Sequence, residues 1–238
     1  ETYQQYAAAT RRFAFDEESD DPAEEPAPID EPTRGPLAPD DDSLWHRLHN
    51  SFGAAVTSLD SEVDVHLDVL RERGLDDSAA WILTSGHGWP LGEHGIVGPD
   101  GSRLYDELVH VPLFVRLPGH REGMRRVPAF TQTADLGPTI LGLFGKFAAP
   151  GVVGTSVLPL TAESGAVLRN AARSARGDER RIQTDEWAYL ARDGDRPERL
   201  YRKPEDLWEV NDLAPRHPDE CERLAALLND RPKEGPSQ

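Results

Sequence analysis

Residues 81–95 read WILTSGHGWPLGEHG, and the class of fold follows from this stretch more than from any other. The apolar run Trp81–Thr84 predicts a buried strand. The loop after it, residues 85–95, holds four glycines, two histidines and one glutamate. Glycines let a backbone approach a ligand closely, and histidine with carboxylate serves in metal and proton chemistry. Because sites in α/β sheets follow the ends of strands, this loop is the first candidate for a functional site.

Composition limits the classes of function. The chain has 238 residues and 37% hydrophobic residues, which is enough for one large domain or a medium and a small one. Its net charge of −17 argues against nucleic-acid binding. The single cysteine, Cys221, excludes a disulfide framework, and no apolar run of membrane-spanning length occurs. The chain begins at Glu1 and shows no signal peptide, so we expect an incomplete N-terminus and leave the compartment unknown.

The first 42 residues differ in composition from the rest. Residues 1–15 are compatible with a short helix, whereas residues 16–42 carry twelve acidic residues, six prolines and one arginine. Such a segment buries too little apolar surface to order itself, so we predict a disordered or extended linker. An acidic partner-binding loop is the alternative interpretation.

The middle of the chain predicts helices and strands of an α/β domain over residues 43–160. A long helix capped by Asp42 or Ser43 and ended by Gly74 would carry one apolar stripe and have the length of a helix packed across a sheet. The stripe consists of Leu44, Leu48, Phe52, Val56, Leu59, Val63, Leu67 and Leu70. A second strand is expected over Val111–Arg116. A helix that opens at Thr133 or Asp135 and ends at Gly145 follows, and then a loop over residues 150–159.

The last part, residues 161–238, predicts a separate small α+β subdomain. Ile182–Ala191 and Arg199–Tyr201 alternate as strands do, and the turn residues Gly194–Pro197 separate them, which indicates a hairpin. Pro218–Leu228 has the pattern of an amphipathic closing helix.

Five runs, in order, resemble the sulfatases of the alkaline-phosphatase superfamily. In that family a strand leads into Ser-Asp-His-Gly, then Gly-Glu-His-Gly, a lysine, Tyr-Asp/Glu-Glu and a Val-Pro-Leu strand. The corresponding runs here are SGHG, GEHG, YDE and VPL, with TADLGPTILGLFG after them. The resemblance covers about residues 43–228. It implies the C-terminal part of a doubly wound α/β sulfatase domain, followed by a small subdomain with an antiparallel sheet.

The resemblance also implies a chemistry. Sulfatases hydrolyse sulfate esters with a formylglycine, made from the cysteine of a Cys/Ser-x-Pro-x-Arg motif, and with Ca²⁺ held by carboxylates. Neither that motif nor the N-terminal pair of metal-binding aspartates occurs in this sequence. The metal-binding aspartate of Ser-Asp-His-Gly aligns with Gly86, and the catalytic lysine aligns with Pro99. We therefore expect no tight Ca²⁺ binding by this chain.

Several residues remain as candidates for a site. His87 holds the ligand position next to Gly86, and a residual metal-binding and catalytic role competes with simple packing. Arg103 is a candidate for the missing positive charge, with a surface arginine as the alternative. His94 is a candidate for substrate binding or for capping the loop. Asp106 and Glu107 match the family's Tyr-Asp/Glu-Glu run and are expected to be structural.

Three hypotheses follow from these residues. The chain is the C-terminal part of a sulfatase that acts on a sulfate ester and needs an N-terminal half to complete its sheet. Alternatively, it is a catalytically dead relative that acts as a binding or scaffold protein. The third hypothesis is a related hydrolase of phosphate or phosphonate esters. In each case we predict that the chain alone is inactive, because of Gly86, Pro99 and the missing nucleophile motif.

Overall fold

The computed structural model describes residues 27–101, 103–120, 125–149, 151–162, 165–194 and 197–230. The helix predicted for residues 1–15 and residues 16–26 of the predicted linker lie outside these ranges, whereas residues 27–42 of that linker are described. The chain divides into two compact units. The first comprises residues 1–79 and 89–102, and the second comprises residues 80–88 and 103–238. The predicted domain boundary at residue 160 stays a prediction.

The first unit is built on one long helix, α1, which spans Asp42–Glu72. Its cap is Asp41, whose Oδ1 accepts a hydrogen bond from the Leu44 amide at 3.0 Å, so the predicted cap at Asp42 or Ser43 is off by one or two residues. Gly74 follows the helix with a φ of 66°, which glycine adopts without strain. Among the helix residues only Leu48 and Ser51 are buried. The predicted stripe from Phe52 onward is not covered by the described part of this unit.

A short ladder accompanies this helix. Strand β1, Gly35–Pro36, pairs antiparallel with β3, Ile96–Val97. A small core forms from Leu48, Leu91 and Val97, against which four further side chains pack: Ile29, Leu37, Leu44 and Trp89. The loop that carries Glu93 and His94 therefore belongs to this unit. Leu91 before it and Val97 after it lie in the same core as Leu48 of α1.

The second unit begins with strand β2, Trp81–Thr84, as the apolar run predicts. It pairs with β4, Leu113–Arg116, and Trp81 lies opposite Arg116. The two strands run antiparallel, and both are half-buried with Phe114 exposed, so the burial predicted for Trp81–Thr84 is only partial. Four apolar residues show that a strand exists but say nothing about the direction of its partner.

Helices connect this pair to a larger sheet. They are α2 (Asp106–Val109), α3 (Leu136–Leu143) and α4 (Leu158–Ala162). A 3-10 turn at Thr133–Asp135 precedes α3, and Gly145 follows it, as predicted. The predicted loop at residues 150–159 already enters α4 at Leu158.

The larger sheet is antiparallel, in the order β5-β6-β7-β8. Its strands are Ala172–Arg176, Glu179–Gln183, Trp187–Arg192 and Arg199–Arg202. The predicted hairpin corresponds to β7 and β8, whereas the single strand expected at 182–191 is two strands separated by a turn. Helix α5, Pro218–Asn229, packs on this sheet, and Ile182, Leu200 and Leu224 are fully buried in the shared core. Among the described residues, no helix is both long and apolar enough to cross a membrane.

Candidate functional site

The end of β2 shapes the first half of the glycine-rich loop. Ser85 Oγ donates to the His87 carbonyl at 2.7 Å, and the Gly88 amide donates to the Leu108 carbonyl at 2.8 Å. A side chain at position 88 would not fit, because a Cβ there would lie 2.0 Å from the carbonyl oxygen of Glu107. The turn is therefore fixed by its backbone, and Gly88 is required by this close approach.

His87 is oriented by this turn. Its Nδ1 lies 2.7 Å from the Gly88 carbonyl. Since a carbonyl oxygen only accepts, Nδ1 carries the hydrogen and Nε2 carries the lone pair of the neutral ring. A backbone carbonyl fixes metal-binding and proton-transferring histidines in this same manner. The residue is exposed.

The resemblance aligns Gly86 with the metal-binding aspartate of the sulfatases, and this alignment stays a prediction. A Cβ built on Gly86 meets no atom within 4 Å, so lack of space does not impose the glycine. Across the described ranges, no three or more His, Cys, Asp or Glu side chains come together in a way that would hold a metal ion. A hard cation such as Ca²⁺ needs several oxygen ligands, and His87 beside a glycine supplies none. The residues that this structure describes do not fit Ca²⁺.

Arg103 is held in an internal ion pair. Its Nε donates to Glu179 at 2.9 Å, and its Nη2 donates to the Pro197 carbonyl at 3.1 Å. Glu179 is fully buried and also faces Arg192 Nε at 3.2 Å and accepts from the Leu104 amide at 2.9 Å. The Arg103 side chain is only 16% exposed. This geometry favours a structural role for Arg103 over the role of a cation that meets a substrate.

Asp106 belongs to a buried cluster of four charges, which we call the Asp106 cluster: Asp106, Arg181, Lys203 and Glu209. Arg181 Nη2 lies 2.5 Å and Lys203 Nζ 2.6 Å from the Asp106 carboxylate. Glu209 Oε2 accepts from Arg181 Nη1 at 2.9 Å and from the Asp106 amide at 3.0 Å. Two cations face two anions, so the cluster is electrically balanced. It ties α2 to strands β6 and β8, which agrees with a structural role for Asp106.

The second half of the loop lies in the first unit, where His94 and Pro99 are half-buried. Its turn is closed by a bond of 2.9 Å from the Gly95 amide to the Gly92 carbonyl. Glu93 Oε2 accepts from the Leu91 amide at 2.6 Å.

The second unit holds a cavity of about 510 Å³ beside the end of β2, and His110, Gln132 and Arg181 help to line it. Its volume is that of a ligand pocket.

Aromatic residues of the C-terminal sheet are mostly core residues. Trp187, Tyr189 and Tyr201 are buried, whereas Trp208 is exposed. Burial raises the pKa of the Tyr189 and Tyr201 hydroxyls well above the usual range, and the Glu198 carboxylate raises that of Tyr189 further. Both hydroxyls are therefore neutral at any ordinary pH.

Comparison with solved structures shows the fold. The fold resembles that of a putative sulfatase from Bacteroides thetaiotaomicron, with a TM-score of 0.70 at 22% identity over 80% of this chain and 44% of that chain. It also resembles the protein BT4656 in complex with its substrate D-glucosamine-2-N,6-O-disulfate, with a TM-score of 0.64 at 21% identity over 78% and 40% of the two chains. The phosphonate monoester hydrolase of Agrobacterium radiobacter gives a TM-score of 0.68 at 23% identity over 77% and 41%. The chain thus has the α/β fold of the sulfatases in the alkaline-phosphatase superfamily.

Sequence comparison narrows the class to a family. The sequence model of the Sulfatase family matches residues 1–146, and the chain belongs to this family. The chain is 35% identical to human iduronate 2-sulfatase over 85 residues, which cover 36% of the chain and 14% of that enzyme. It is 28% identical to arylsulfatase K of Danio rerio over 189 residues, or 74% of the chain and 36% of that protein. The chain therefore spans well under half the length of these relatives.

Proposed function

We propose that this chain is the C-terminal part of a sulfuric ester hydrolase, and that the His87 loop is its contribution to the active site. The observation that carries the proposal is the oriented imidazole at the end of β2, with its Nδ1 bound to the Gly88 carbonyl. Membership of the Sulfatase family supports the reaction class. The coverage of only 36–44% of the longer relatives supports a division of the site between this chain and further sequence.

His87 can serve such a reaction through its Nε2. When a sulfate ester is cleaved, negative charge develops on the leaving alcohol oxygen. A protonated imidazole that donates to this oxygen lowers the barrier, and such general acid catalysis contributes typically about 10²–10⁴-fold. In the sulfatases Ca²⁺ would stabilise the charge on the sulfate oxygens. The described residues do not hold it, so we infer that this chain alone is inactive.

Both parts of the proposal have a direct test. The purified chain and the longest translated product that contains it are assayed with 4-nitrophenyl sulfate and with D-glucosamine-2-N,6-O-disulfate. We expect no turnover by the chain and a measurable turnover by the longer product, which His87→Ala reduces about 10²-fold or more. Arg216→Ala, in a 3-10 turn of the second unit, is the matched surface control.

The outcomes separate the alternatives. Turnover by the chain alone that is lost on chelation would overturn the inactivity. No turnover by the longer product would overturn the enzymatic proposal and favour a scaffold protein. A phenylphosphonate monoester is assayed in parallel, because proton donation to the leaving oxygen serves the cleavage of sulfate and phosphonate esters alike. A preference for the phosphonate ester would favour the alternative activity, the hydrolysis of phosphonate esters. The fold of this chain is similar to that of the Agrobacterium phosphonate monoester hydrolase.

A further inference from the structure

His49 on helix α1 is placed between two hydrogen-bond acceptors. Its Nδ1 lies 2.9 Å from the Trp45 carbonyl, and its Nε2 lies 3.8 Å from Glu93 Oε1. The carbonyl only accepts, so Nδ1 carries a hydrogen. The neutral ring would then direct the lone pair of Nε2 at a carboxylate. The imidazolium directs an N–H at each acceptor, and the surroundings therefore suit the charged form.

Neighbouring groups reinforce this arrangement. The indole of Trp45 lies against the ring with centroids 3.8 Å apart and planes tilted by 31°, a contact that favours a cation. The side chains of His49 and Glu93 are 30% and 20% exposed, so water screens the pair only in part. The second oxygen of Glu93 accepts from the Leu91 amide at 2.6 Å, which fixes the carboxylate to its own loop.

We propose that His49 and Glu93 form a pH-dependent latch that holds the turn at residues 92–95 against helix α1. His49 is then a positioning residue for His94, which follows Glu93 in this turn. Two other contacts also hold this turn: the apolar contacts of Leu91, and the hydrogen bond of 2.8 Å from the Leu37 amide to the Gly95 carbonyl. It is a property of the first unit and does not depend on any hydrolytic activity of the chain.

The pKa values of the pair set the direction of the response. Burial alone lowers the pKa of His49, but the negative charge of Glu93 and the bond to the Trp45 carbonyl outweigh it, so this pKa is raised. Burial likewise raises the pKa of Glu93, but the facing His49 ring and the bond from the Leu91 amide outweigh it, so this pKa is lowered. Two further charged or titratable side chains lie near the pair among the described residues: His46 lies edge-on to Trp45, and Arg34 lies over the ring of Trp89.

The stabilisation has limits at both ends of the pH scale. The contribution of His49 is complete below its ordinary pKa of about 6.5 and is lost as the pH rises through the raised value. The contribution of Glu93 is complete above its ordinary value of about 4.3 and is lost as the pH falls through the lowered value. The latch is therefore closed between the lowered pKa of Glu93 and the raised pKa of His49, and it opens as the pH rises through the raised pKa of His49.

Nuclear magnetic resonance of the whole chain tests the latch. Titration of the His49 ring should give a pKa above about 6.5, and Glu93→Gln should lower it. Hydrogen exchange of the Leu91 and Gly95 amides, corrected for the intrinsic effect of pH, should accelerate as His49 loses its proton. His49→Lys keeps the positive charge to higher pH and should remove this acceleration. His46→Gln is the matched control, because His46 makes the same type of bond to its own helix, to the Asp42 carbonyl at 2.7 Å.

Two results would overturn the latch. One is a His49 ring that titrates at or below its ordinary value, a measurement on the unaltered chain that does not depend on whether a variant folds. The other is an exchange rate of Leu91 and Gly95 that follows pH equally in the unaltered chain and in Glu93→Gln. Neither result bears on the hydrolase proposal, which is tested by turnover in a different unit of the molecule.

Discussion

Glu209→Gln removes one negative charge from the Asp106 cluster and changes almost nothing in size. Glu209 is 1% exposed, and the side chains of Arg181 and Lys203 that face it are 2% and 4% exposed. After the substitution two buried cations face the single carboxylate of Asp106. Removal of one partner from a buried ion pair costs about 3–5 kcal/mol, because the other charge stays buried without compensation. Since a whole domain is stable by about 5–15 kcal/mol, we expect the second unit to unfold at much lower denaturant concentration.

The assay is urea unfolding followed by tryptophan fluorescence, to which the buried Trp187 of the same sheet contributes. Glu220→Gln is the matched control, because its partner Arg223 is an exposed neighbour on helix α5 and such pairs contribute about 0–1 kcal/mol. Adding Lys203→Met to Glu209→Gln leaves one cation and one anion and should recover part of the lost stability. A Glu209→Gln protein that unfolds within about 1 kcal/mol of the parent would refute the reasoning, since a buried charge would then lack the expected cost.

Three further outcomes are expected. Gly88→Ala should lower the free energy of unfolding by about 1–3 kcal/mol, because the new methyl group would overlap the Glu107 carbonyl. Gly86→Ala, where space is open, should change it by about 0.5 kcal/mol or less, and equal losses for the two variants in urea unfolding would contradict this reasoning. Burial raises the pKa of the Cys221 thiol to about 12, so Ellman's reagent at pH 8 should react only as fast as the protein unfolds, and immediate reaction would count against a buried thiol. Asp135→Asn should lower stability by about 3–5 kcal/mol, since it breaks the two bonds of 2.6 Å from Arg169 to a fully buried carboxylate; an unchanged thermal midpoint would argue otherwise.

Local sequence patterns predicted the elements that depend on neighbouring residues. The 3.6-residue spacing of apolar side chains located α1 to within one or two residues at its start, and Pro218 marked the first residue of α5. The same patterns failed wherever pairing over long distances decides. They did not show that β2 and β4 run antiparallel, nor that a turn after Thr184 separates β6 from β7, because no glycine or proline marks residues 184–187.

The candidate site shows the same division. The glycine and histidine pattern located the turn around His87, because a close backbone approach and an oriented ring leave a mark on the local sequence. The pairing of Arg103 with Glu179, 76 positions later, leaves no such mark, and neither does the meeting of His49 with Glu93. Charged residues in a sequence look alike whether they are solvated or buried in pairs, so their partners become visible only in the folded chain.

Our central claim is that Gly86 leaves the His87 loop without the carboxylate that a metal site needs. Calorimetric titration of the metal-free chain with Ca²⁺, and of its Gly86→Asp variant, tests this claim most directly. We predict that neither protein binds Ca²⁺ with micromolar or higher affinity, because no three or more His, Cys, Asp or Glu side chains of the described residues come together to hold a metal ion, and one added aspartate is too few for a hard cation. A micromolar Ca²⁺ site in the unaltered chain, or one created by Gly86→Asp alone, would contradict the account.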